Sequence, residues 1–330
     1  MQPKTLTDFR TTFGKDVYKG FTDHPKHISS KYFYDERGDR LFQEIMDMPT
    51  YYLTRSEYAI LEQHKEAICE HFIGDGDPFN LIELGAGDGK KTKILLRQLS
   101  GHGAPFTYQP VDISGNVLRQ LEQSIRRELP GVSVKTNEGT YFETLDLLND
   151  SSRQRKVLLF LGSNIGNLLH PQAVAFMKAI QQLMKADDSL LIGFDQKKHP
   201  QKILDAYNDP EGITAAFNKN LLLRINREFG GDFDPDNFLH WEVYDPESGT
   251  AKSYLVAKIK HQVWIKDLDL RVSFEAWESI HTEISQKYDD ATVAWLAGKA
   301  GLRIIEQYAD PDHEYKNYLF KKNGDESNME

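Results

Sequence analysis

Cysteine is almost missing from this chain: its 330 residues include one, Cys69. A lone thiol cannot close a disulfide within the chain, and a cysteine-rich metal site is excluded with it. Basic residues are outnumbered, with 40 Lys and Arg against 50 Asp and Glu and a formal net charge of −10. A dedicated nucleic-acid binder needs a dominant basic face to neutralise phosphates, so no nucleic-acid partner is expected. A small cationic or zwitterionic substrate is not excluded. Long hydrophobic runs are absent: "VLLFLG" and "LLIGF" fall far short of the roughly 20 residues a membrane-spanning helix needs. The opening "MQPKTLTDFRTTFGKD" has no apolar core of the signal-peptide kind. No second His or Cys stands at ligand spacing from His281, so no metal is expected. With 39% hydrophobic and 27% charged residues, a packed core is expected. The combined expectation is a globular, cytoplasmic, monomeric protein.

Along the chain, "GDRLFQEIMDM" and "TRSEYAILEQHKEAICEHFI" carry apolar residues at helical spacing, and Thr54 with Glu57 reads as a capping box. "PFNLIELGAG" is a short apolar strand ended by glycine. Helix "KTKILLRQLS", strand "FTYQPVDIS", helix "GNVLRQLEQSIRREL" and strand "GVSVKTNEGTY" follow. Strand "RKVLLFLG", helix "QAVAFMKAIQQLMK" and strand "DSLLIGFDQ" complete an alternation over about residues 78–196 that predicts a parallel sheet wrapped by helices. After Gln196 the period changes to helices and then to alternating strands around the turn "DPESG". The chain closes with a helix and two strands around "ADPDHEY", a terminal antiparallel hairpin. Residues 61–196 and 287–330 are therefore expected to form one α/β domain, and 1–60 with 197–286 a smaller α+β domain, with the active site between them.

"LIELGAGDGKKT" carries the chemistry. Gly85, Gly87 and Gly89 permit a tight turn and a close backbone approach to a ligand at a helix N-terminus. A dinucleotide loop is spaced G-x-G-x-x-G, and here position 90 is lysine, so a pyrophosphate fits poorly. Nicotinamide binding stays as the alternative cofactor. The E-x-G-x-G-x-G form beginning at Glu83 resembles motif I of class I S-adenosylmethionine-dependent methyltransferases, which implies a Rossmann-like fold and that cofactor. Asp112 of "QPVDIS" stands where the resemblance implies a ribose-binding carboxylate, a good acceptor for two hydroxyls.

Four further blocks are more specific: "SKYFYDERGDRLFQEIMDMPTYYLTRSE", "FLGSNIGNL", "AYNDPEGITAAFNKNLLLRINREFGGDFD" and "HTEISQKY". Together they resemble the histidine-specific Nα-methyltransferase family, whose members make the trimethylated betaine hercynine on the way to ergothioneine. The resemblance spans about residues 9–321. It implies that Tyr51, Asn167 and Tyr207 bind the amino acid, and that Glu283 and Ser285 recognise the imidazole. For the cofactor it implies Tyr34, Gly85, Gly87, Lys91 and Asp112, with Thr140 and Tyr141 of "EGTY". Thr140 stands where the family usually has an acidic residue, and Ser253 where the pocket often has methionine. A growing methylated ammonium favours aromatic faces, for which Tyr34, Tyr51, Tyr207 and Phe217 are the candidates. N-methylation of another amino acid or aromatic amine, and a non-catalytic cofactor-binding protein, remain the alternatives.

Overall fold

The structure, a computed structural model, describes residues 11–140, 143–144 and 154–324. The chain divides into two compact units, Met1–Tyr52 with Lys198–Ser285, and Leu53–Lys197 with Gln286–Glu330. The first unit opens with helices α1 (Thr12–Thr22) and α2 (Glu36–Asp47). The second unit takes over with α3 (Leu53–Ile73), β1 (Phe79–Leu84), α4 (Thr92–Gly101), β2 (Phe106–Asp112) and α5 (Gly115–Glu128). It continues through β3 (Ser133–Val134), β4 (Asn137–Glu138), β5 (Arg155–Phe160), α6 (His170–Leu183) and β6 (Ser189–Asp195). The first unit resumes with α7 (Pro200–Tyr207), α8 (Ile213–Phe229) and strands β7 (Phe238–Asp245), β8 (Thr250–Ala257), β9 (His261–Ile265), β10 (Leu270–Phe274) and β11 (Ser279–Gln286). Helix α9 (Asp290–Lys299) and the hairpin β12 (Leu302–Ala309) and β13 (Tyr315–Lys322) belong to the second unit.

The sheet of the second unit runs β12-β13-β6-β5-β1-β2-β3, with β4 also on β2. The pairs β1–β2, β1–β5 and β5–β6 are parallel, whereas β13 is antiparallel to both β6 and β12. This is a class I methyltransferase sheet with its terminal antiparallel hairpin. Every residue of β1 and of β6 is buried, as expected for strands covered by helices on both faces. Ile82, Leu158, Phe160, Phe176, Phe194 and Tyr318 belong to its core. From β1 the chain steps outward to β2 and β3, then returns on the other side of β1 with β5. Such a reversal opens a crevice at the carboxyl ends of the strands, the usual place for a ligand in this architecture.

Two local expectations fail. "GVSVKTNEGTY" yields two short pairings on β2 instead of one strand, with Lys135 N–H donating to Tyr108 O at 2.9 Å between them. The capping box of Thr54 and Glu57 is absent, because α3 begins at Leu53 and Glu57 turns inward to a fully buried position. The helix also runs unbroken through residue 60, so the chain enters the second unit at Leu53, ahead of the expected boundary.

In the first unit β11-β8-β7 form an antiparallel sheet, and β9 pairs with β10. Strand β7 alternates buried Phe238, His240 and Glu242 with exposed Leu239, Trp241 and Val243. Helix α8 starts after Gly212 (φ +77°), where the Asp209 carboxylate accepts the N–H groups of Ile213 and Thr214, each at 2.8 Å. Those bonds satisfy two of the donors a helix start leaves open.

Candidate active site

In the second unit the glycine loop leaves β1 at its carboxyl end. The N–H groups of Gly85 and Ala86 donate to Val111 O at 2.8 and 3.1 Å, tying the loop to the end of β2. Among the described residues nothing stands within 4 Å of where a Gly87 Cβ would lie (φ +54°), so the backbone presents an open edge to them. Gly89 (φ +66°) is needed for packing, because a Cβ there would meet Leu121 Cδ1 at 2.3 Å. Asp112 ends β2 beside this loop. Gly87 N–H donates to its Oδ2 at 3.1 Å and Ser114 N–H to its Oδ1 at 2.9 Å. Burial raises the Asp112 carboxyl above its ordinary range, although the N–H groups of Ser114 and Gly87 act in the opposite direction. One N–H on each oxygen leaves acceptor capacity on both, which is what a pair of ribose hydroxyls requires. The loop and carboxylate thus fit the sugar and methionyl parts of S-adenosylmethionine.

Glu83, ahead of the loop, is structural. It accepts from Thr92 Oγ1 at 2.5 Å and from Tyr108 OH, and burial pushes its carboxyl up to about 7. Lys91 pairs with Glu57, whose carboxylate also accepts Gly162 N–H at 2.8 Å, Tyr315 OH at 3.2 Å and Asn317 Nδ2 at 3.2 Å. Gly162 begins the loop after β5, and Asn167 lies exposed at that loop's end in a 3₁₀ turn, Asn164–Asn167. Thr140 is exposed, and its N–H and hydroxyl donate to Glu143 Oε2 at 3.0 and 2.7 Å. A carboxylate is therefore held beside Thr140 although residue 140 is not acidic. Tyr141 lies outside the described residues.

In the first unit a chain of rings joins four sequence segments. Tyr34 meets Phe217 edge-on at 5.6 Å, Phe42 lies 5.6 Å from Tyr34 and 6.4 Å from Tyr51, and Tyr51 meets Tyr207 at 6.1 Å. The Tyr207 hydroxyl lies 2.7 Å from Ser285 Oγ, both residues buried. Glu283 stands two residues before Ser285 on β11, so strand alternation gives them a common face. Ser253 takes part in a polar cluster of its own strand and its neighbours. Its hydroxyl donates to Glu242 Oε2 at 2.6 Å, and Thr282 Oγ1 bridges Asn218 Oδ1 at 2.7 Å and Ser253 O at 3.0 Å.

The sequence model of a family described as "Histidine-specific methyltransferase, SAM-dependent" matches residues 13–322. The chain belongs to that family. It is 36% identical over 296 residues to a histidine N-alpha-methyltransferase of Mycobacterium tuberculosis, covering 90% of each chain. The corresponding enzyme of Mycolicibacterium smegmatis is 34% identical over 301 residues, covering 91% of this chain and 92% of that one. An L-tryptophan methyltransferase of Psilocybe serbica is 26% identical over 313 residues, covering 87% and 86%.

This S-adenosylmethionine-dependent methyltransferase thus gathers Gly85, Gly87 and Asp112 at one loop, and Tyr34, Tyr51, Tyr207, Phe217 and Ser285 along one aromatic chain. Phe42 was not anticipated. It lies on α2 between Tyr34 and Tyr51, and its place inside "YFYDERGDRLFQ", a block quoted for the family, was the available signal. Glu57 was missed because helical spacing alone reads a polar residue near a helix start as a cap.

Proposed function

We propose that this methyltransferase acts on the α-amino group of free L-histidine and carries it to the trimethylated betaine hercynine. The observation that supports this reading most directly is the Tyr207–Ser285 hydroxyl pair at 2.7 Å, next to Tyr51 and with Glu283 on the same strand face. When bound, S-adenosylmethionine supplies an electrophilic methyl group on a sulfonium. The chain's own residues then have to bind, orient and exclude water. Asp112 would accept the ribose hydroxyls, and the Gly85–Gly89 backbone would lie against the methionyl part. Tyr51 and Tyr207 would hold the amino acid by hydrogen bonds, without burying a full counter-charge, and the resemblance gives Asn167 a role in the same recognition. The faces of Tyr34, Phe42 and Phe217 suit an ammonium that gains methyl groups. Glu283 would accept a ring N–H of imidazole, and Ser285 would support it.

The test compares kcat/KM for histidine, tryptophan and phenylalanine in wild type and in Glu283→Ala. A ring nitrogen left unpaired in a dry pocket costs about 1–3 kcal/mol, so histidine alone should lose roughly ten- to a hundredfold. Mass spectrometry of the product counts the methyl groups added. Equal losses for all three substrates would remove Glu283 from imidazole recognition. A second reading is N-methylation of another amino acid or aromatic amine. It is favoured by Ser253 turning its hydroxyl to Glu242, together with the relative that methylates tryptophan. Wild type that prefers tryptophan over histidine would establish it.

A further inference from the structure

We infer that Glu57 is a positioning residue that sets Lys91 and the loop from Gly162 to Asn167 in their working places, an inference that rests on the function proposed above. The carboxylate is fully buried and its two oxygens face different structures. Oε2 accepts from Lys91 Nζ and from Gly162 N–H at 2.8 Å. Oε1 accepts from Tyr315 OH and Asn317 Nδ2, both at 3.2 Å, on β13. Four donors fill the acceptor sites of a carboxylate. Glu57 is thus a bridge from a strand inside the sheet to two groups at the carboxyl ends of its strands.

The surroundings are shaped for this bridge. On β6, a Cβ at Gly193 would lie 2.2 Å from Glu57 Oε1 and 2.4 Å from Tyr315 OH, so only glycine leaves the room. The loop it grips is strained: Ser163 takes φ +58°, and its buried hydroxyl has no hydrogen-bond partner among the described residues. The Tyr315 hydroxyl, which donates to Glu57, braces the carboxylate that holds the Gly162 N–H. The N–H of Gly162, next to the left-handed Ser163, is therefore anchored by one network. A left-handed non-glycine residue persists only where its neighbours over-determine it. A buried ion pair is weak evidence for stability, since apolar packing serves that end as well. What the Glu57 arrangement achieves beyond packing is a fixed placement for Lys91 and for the loop that leads to Asn167.

Calorimetric titration with S-adenosylmethionine tests the Lys91 arm through Glu57→Gln, Lys91→Met and the double variant. Each single change should weaken cofactor binding about tenfold, and the double variant should be no weaker than about tenfold, because both remove one interaction. A double variant near a hundredfold would mean that Glu57 does not act through Lys91 and would overturn that arm. Tyr315→Phe tests the loop arm. It should raise KM for the amino acid about fivefold while leaving cofactor affinity at the wild-type value. Variants that melt earlier yet keep wild-type cofactor affinity and KM would reduce the network to fold stability and sink the inference. If Glu57→Gln fails to fold, Tyr315→Phe with unchanged KM overturns the inference by itself. Wild type that binds no S-adenosylmethionine would instead strike the proposed function on which it rests.

Discussion

His240 shows how far one buried side chain can set the acid limit of this protein. It sits on the inward face of β7, and neither ring nitrogen has a hydrogen-bond partner among the described residues. Burial pushes its pKa down to about 4 from an ordinary 6.5. Between those values the unfolded chain binds a proton that the folded chain refuses, so stability falls as pH drops through that window. The loss reaches about 3 kcal/mol at full protonation. Urea unfolding across pH 7 to 4 should show this slope in wild type and a shallower one in His240→Leu. Parallel curves would move the acid lability elsewhere. Tyr207 supplies a second expectation at this scale. Tyr207→Phe removes the hydroxyl that meets Ser285 at 2.7 Å and should cost about 0.5–3 kcal/mol of histidine binding. If Tyr207 reads the carboxylate, the preference of wild type for histidine over histidinamide shrinks in the variant; an undiminished preference excludes that role. The residue types at these positions were visible in the sequence. Phe42 and Glu57 were not assigned, because a ring chain and an inward-turned acid are formed by neighbours distant along the chain.

Helix α8 depends on a side chain outside it. The Asp209 carboxylate holds the first N–H groups of the helix, and Phe217 follows one turn later on the same element. Burial raises the Asp209 carboxyl, but the Thr214 and Ile213 donors outweigh it, so the net shift is downward. Asp209→Ala should cost about 1–2 kcal/mol in chemical denaturation, the range for loss of such a cap. A change below about 0.3 kcal/mol would show that α8 is held by packing alone. Helices and buried strands were legible as elements because their apolar periods are long and regular, as in β1 and α5. The stretch after α5 was misread as one strand. Its pairing on β2 keeps one register but is interrupted opposite Gln109 and Pro110, and the proline has no N–H to give the ladder; which strand lies alongside is not written in the stretch itself.

For the molecule as a whole, the cofactor is linked to folding. A ligand that binds only the folded chain stabilises it by about 2.7 kcal/mol at a hundred times its Kd. S-adenosylmethionine should therefore raise the melting temperature of wild type in a concentration-dependent way, and NAD should not. In Asp112→Ala the same concentration should give a smaller rise, because the ribose hydroxyls lose their acceptor. An equal rise in wild type and variant would take Asp112 out of the cofactor site. Among the described residues no helix is long and apolar enough to cross a membrane.

By itself the sequence determined the alternation of strands and helices, the glycine loop, and the four blocks that mark the family. These are local signals: apolar period, turn chemistry and short motifs depend on residues a few positions apart. Tertiary structure alone decided which of the polar residues work together. Glu57 becomes a bridge only when residues 91, 162, 315 and 317 converge on it. Ser253 faces Glu242 because β7 and β8 pair in a register that sets those two residues opposite each other. A buried polar group must find its partner wherever the fold brings one, and that requirement is met in space, without a local pattern to announce it.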